Sequence, residues 1–96
     1  MAELTLISTR QRQLKPLVQA AIQNELRLLE AGIRRAEQKL LEFEDRHQLS
    51  SPDFIERFER GDLEESLEFA EWIGEFRLLE RLKEKADTLR EIRFAD

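Results

Sequence analysis

Glu44 and His47 lie three residues apart in Phe43-Glu44-Asp45-Arg46-His47, a Glu-x-x-His spacing that places both side chains on one helix face. Carboxylate metal sites in helical bundles use two such motifs plus two further glutamates. A homodimer would duplicate this motif, and Glu68, Glu71 or Glu75 could supply the remaining position. Against that, His47 falls just before Ser50-Ser51-Pro52, where its helix must end, and the helix dipole alone favours an imidazole there. The expectation is no metal and no cofactor, with Glu44 and His47 kept as the candidate ligands.

Other chemistry finds fewer parts. The chain has one histidine and no cysteine or tyrosine, so thiolate catalysis, disulfides and thiolate metal sites are excluded. Apart from Thr88, its hydroxyl residues sit at the N-terminus or at expected helix starts. No glycine-rich phosphate loop and no zinc spacing is present. No catalytic residue is assigned, and the chain reads as non-enzymatic.

The acidic stretch Asp53 to Glu68 lacks the alternating oxygen ligands and central glycine of a calcium loop. Residues 49–69 carry seven acids and two bases, −5, which equals the net charge of the whole chain. Residues 1–24 carry three bases and one acid. Because that middle field repels phosphates, extensive nucleic-acid binding is disfavoured, and any such contact falls to Arg10, Arg12 and Lys15. Aromatic residues interleave the acids, so a partner-binding surface is expected at Phe54, Phe58, Asp62, Glu64, Glu65, Phe69 and Trp72.

These residues need elements to position them. Of the 96 residues, 39% are charged and 41% hydrophobic, with three glycines and two prolines, a balance typical of long helices. One face of residues 13–48 reads Val18, Ile22, Leu26, Leu29, Ile33, Ala36, Leu40, Phe43 and His47, the spacing of a helix packed along a seam. Pro16 is expected in its first turn. A short helix follows over 51–60, capped by serine beside Pro52 and ended by Gly61.

A last long helix is expected over 62–94, with Asp62 as cap and Glu65 three residues on. Its seam carries Ile73, Phe76, Leu79, Leu82 and Leu89. Residues 1–12 form an arm whose segment 3–9 is β-prone; it either frays or pairs across a dimer or with a partner chain. Gly32 and Gly74, inside helices, are read as close helix approaches or room for an aromatic ring, the alternative being a groove for a partner's side chain. The expected class is all-α: a single-domain antiparallel hairpin with a short helix at its tip. Apolar doublets such as Leu17-Val18, Leu28-Leu29 and Leu78-Leu79 widen the stripes beyond one neighbour, which predicts a dimeric four-helix bundle. No apolar run approaches the roughly 20 residues of a membrane span, and Met1 to Lys15 lacks a signal peptide's apolar core. A cytoplasmic protein is expected.

The block Phe54-x-x-Arg57-Phe58-x-x-Gly61-Asp62-Leu63, followed by Phe69-Ala70-Glu71-Trp72 and Leu78-Leu79-Glu80-Arg81-Leu82, resembles a family of small helical hypothetical proteins. They occur in archaea, cyanobacteria and other thermophile-rich bacteria, encoded beside a second small gene. The resemblance spans nearly the whole chain and implies the antitoxin side of a toxin–antitoxin pair, binding a co-encoded small toxin. Members carry a Tyr-Gly-like turn where this chain has His47-Gln48, a departure that weighs against a catalytic histidine. The alternatives are a structural homodimeric bundle and the carboxylate–histidine metal bundle.

Overall fold

The computed structural model describes residues 3–5 and 11–94. Three helices account for most of them: α1 over Gln11–His47, α2 over Ser51–Glu59 and α3 over Leu67–Arg90. Helix α1 packs lengthwise against α3, and α2 crosses the tip, so the expected all-α hairpin is the observed fold. Two-residue strands β1 (Glu3–Leu4) and β2 (Arg93–Phe94) pair in parallel at the open end. Where it is described, the N-terminal strand pairs with the C-terminal segment of its own chain. Residues 6–9 and Arg10 lie outside the described residues, as does the side chain of Arg12.

The seam forms as the periodicity predicts. Leu29, Ala36, Leu40 and Phe43 from α1 are buried with Ile73, Leu79 and Ala86 from α3, while Ile33 and Phe76 pack at the edge. Leu26, Leu82 and Leu89 are half-buried. Gly32 explains how close the rods run, because a Cβ there would sit 3.2 Å from Leu82 Cδ1. Gly74 does not share that reason: nothing lies within 4 Å of where its Cβ would be.

The element ends differ from expectation at three places. Helix α1 starts at Gln11, which puts Pro16 inside the helix, past the turn where a missing N–H costs nothing. Helix α3 starts at Leu67, not Asp62, with Ser66 Oγ accepting from Phe69 N at 3.1 Å. The reason lies in how α2 ends. Gly61, at φ 78°, donates to Phe58 O at 3.0 Å, and Asp62 N donates to Arg57 O at 3.0 Å, which is a Schellman termination. Asp62 is thus spent closing α2, and Leu63 packs back on the core before a helix can restart. Helix α3 also ends at Arg90, and Arg93–Phe94 is extended rather than helical.

At the other turn, Gln48 takes φ 50° and Leu49 N donates to Glu44 O at 3.3 Å. The same left-handed device closes α1, here with a residue that carries a Cβ.

Candidate functional site

Chemistry-bearing residues converge at the tip, where the last turns of α1, the whole of α2 and the first turns of α3 meet. At the centre lies Trp72, 0% exposed, beside Phe54, also 0% exposed. Their rings stack at 3.8 Å with 5° between planes, close and flat for an aromatic pair. Phe43 and His47 stack on Trp72 at 5.5 and 5.3 Å. Phe69 meets the His47 ring edge-on at 5.5 Å.

A buried indole needs an acceptor for its N–H. Ser51, 2% exposed, provides it: Trp72 Nε1 donates to Ser51 Oγ at 2.8 Å. Ser51 N, one of the donors left free at the start of α2, donates to Glu44 Oε2 at 2.7 Å. His47 Nε2 pairs with Glu68 Oε1 at 3.0 Å, and Arg46 pairs with the same oxygen. These hydrogen bonds, from His47 first and Arg46 second, hold the Glu68 carboxyl below its ordinary range. Among the described residues no buried side-chain N or O is left without a partner.

The two candidate metal ligands therefore turn to different tasks: Glu44 caps α2 and His47 ties α1 to Glu68 at the start of α3. Among the described residues no three His, Asp or Glu side chains are placed to share a metal ion. Nor does the hydrogen bonding join Ser51 to His47, since the serine bonds to Trp72 and Glu44.

The expected partner surface divides in two. Phe54 and Trp72 cannot touch a partner, because both are sealed inside the tip. Phe58 and Phe69 are half-buried against the same core. Asp62, Glu64 and Glu65 are exposed, on a loop fixed by Gly61 at one end and by Ser66 at the other. Beside that loop runs an open groove of about 600 Å³, lined by Phe58, Glu65, Leu67, Ala70, Ile73 and Arg77. Leu67, at its mouth, is 78% exposed.

Sequence reasoning did not find Ser51, Leu67, Ala70 or Arg77. Only Leu67 left a signal, as a large apolar residue off the α3 seam. Among the described residues no helix is long and apolar enough to cross a membrane. No family model, curated protein or solved structure matches the chain.

Proposed function

We propose that this chain is a non-enzymatic interaction protein of antitoxin type: a cytoplasmic homodimer that binds a co-encoded, basic small toxin through its acidic tip. One observation carries the reading. Three exposed carboxylates, Asp62, Glu64 and Glu65, stand on a loop fixed at both ends and directly beside an apolar groove. A loop needed only for solubility has no use for that neighbour, whereas a docking surface uses both parts. The carboxylates steer and orient a cationic partner, and the groove supplies the apolar contact that holds it. A toxin that acts on RNA needs a basic surface, and covering that surface is the neutralising step. The resemblance to antitoxin-like proteins agrees with this chemistry.

Co-expression with the product of the adjacent gene tests the proposal. The expected result is a co-purifying complex and relief of growth arrest, both lost in Glu64→Lys/Glu65→Lys. No complex and no relief with the unaltered chain would overturn it.

A second reading, a structural homodimeric bundle, is supported by Leu17, Leu28 and Leu41, which are 68%, 61% and 56% exposed along α1. A dimer that ignores the neighbouring gene product entirely would favour it.

A further inference from the structure

The two ends of this molecule complement each other and cannot meet within one chain. Gly32 faces Leu82 and Phe43 faces Trp72. Arg90, the last residue of α3, therefore lies level with about residue 25 of α1. The first turns of α1, roughly 20 Å of helix, run on past it. Ile92 and the β2 strand give only partial cover there, where a groove of about 540 Å³ lies between Ile22, Leu89 and Ile92. Leu17 on this overhang is 68% exposed.

Residues 11–24 hold Arg12 and Lys15 and no acid. The tip loop holds three exposed acids beside a groove whose mouth is Leu67. About 45 Å of rigid helix separates residue 17 from the level of Leu67, so neither end can reach the other in its own chain.

We propose that a second copy of this chain, running antiparallel, lays the first turns of its α1 along the tip groove and receives the same in return. The exchange is self-complementary under a twofold axis, so it closes as a dimer instead of growing into a fibre. Charge selects the direction. Antiparallel copies set a basic end on an acidic tip twice, whereas parallel copies would set like charge on like. The inference rests on the reading of the tip as a docking surface and names its resting occupant. In the free dimer the tip is covered, so a basic partner binds by displacing the overhang.

The chain has no cysteine, so an engineered pair reports the contact directly. Under mild oxidation the full chain carrying Leu17→Cys/Leu67→Cys gives a disulfide-linked dimer of about twice the 11.4 kDa chain mass. Each single variant gives none, because the antiparallel arrangement keeps like positions apart. Both sites are exposed, so the substitutions leave the core untouched. Cross-linking by Leu17→Cys alone would show a parallel pair and overturn the proposal, as would a monomeric unaltered chain in sedimentation.

Glu64→Lys/Glu65→Lys is expected to raise the dimer dissociation constant about 5-fold, because it sets like charge against the basic end. An unchanged dissociation constant would refute the charge match. If the disulfide fails to form while the adjacent gene product still co-purifies, the exchange is wrong and the docking reading stands. If the disulfide forms but the partner ignores both the dimer and a Leu17→Glu monomer, the dimer stands and the docking reading falls.

Discussion

Ser51→Ala tests whether the tip is held by its buried hydrogen bond as well as by its aromatic stacking. The substitution removes the acceptor of Trp72 Nε1 at a place where the indole is 0% exposed and the serine 2% exposed, so water cannot take its place. Leaving one buried donor unpaired costs about 1–3 kcal/mol. Alanine's better helix propensity returns about 0.5 kcal/mol of that. The net loss is about 0.5–2.5 kcal/mol. For a chain of this size each kcal/mol moves the thermal midpoint by roughly 4–8 °C, so a fall of roughly 2–20 °C is expected.

Trp72 is the chain's one tryptophan, so its fluorescence reports the tip while far-UV circular dichroism reports the whole helix content. Both should be followed at one fixed protein concentration, since association would move the midpoint by itself. The decisive control is Ser51→Ala made in a Trp72→Phe background. Phenylalanine has no N–H to leave unpaired, so the serine should matter much less there. A coupling of about 1 kcal/mol or more between the two positions is expected. If Ser51→Ala costs the same in both backgrounds, to within about 0.3 kcal/mol, the hydrogen bond is not what holds the tip.

The two left-handed turns should respond in opposite directions. Gly61→Ala places a Cβ at φ 78° and should cost about 1–2 kcal/mol in urea denaturation, while Gln48→Gly should gain roughly 0.5 kcal/mol by relieving φ 50°. Matching signs would refute the assignment. Glu44→Ala strips the acceptor from Ser51 N and should cost about 1–2 kcal/mol, whereas a neutral result would return Glu44 to the pool of unassigned carboxylates. Because Glu68 is held below the ordinary carboxylate value of 4.5 by His47 and then Arg46, its contribution is complete above that value. It is lost as pH falls through the lowered native one, so Glu68→Gln should flatten the acid limb of the stability profile. An unchanged limb in an acid titration by circular dichroism would sink this reading.

The seam was the most legible part of the chain. Steps of three and four from Leu29 through Ile33, Ala36, Leu40 and Phe43 can only describe a helix with one buried face, and the same holds from Ile73 to Leu89. The start of α3 was not legible, because Asp62 with Glu65 three residues on reads as a cap, whereas the cap used is Ser66, four residues later. What decides between them is tertiary: Gly61 draws Asp62 into closing α2, and Leu63 must reach the core. The direction of the tip aromatics was equally hidden. In a helix as short as α2, Phe54 and Phe58 satisfy the same spacing whether they face a partner or the core. Ser51 and Trp72 are 21 residues apart, and nothing local marks them as a pair. Pro16 misled in another way, since a proline that suits a first turn also drew the expected start of α1 towards it.

The charge of the tip separates a solvated surface from a docking surface by the sign of a salt effect. Among the described residues Asp62 pairs with Arg60 at 3.2 Å, while no ion pair reaches Glu64 or Glu65. Carboxylates that close together repel, and raising ionic strength from about 0.1 to 1 M shrinks the screening length from about 10 to about 3 Å. A monomeric chain, such as Leu17→Glu, should therefore become more stable as sodium chloride is added. If the overhang of a second copy rests on those acids, the same salt removes an attraction, and the dimer dissociation constant should rise. One protein then shows two opposite salt dependences: folding of the monomer strengthens while association weakens. Equal insensitivity of both would leave the acids as solubilising groups only. A dimer that tightens with salt would place apolar contact alone, without charge, in control of which way the second copy runs.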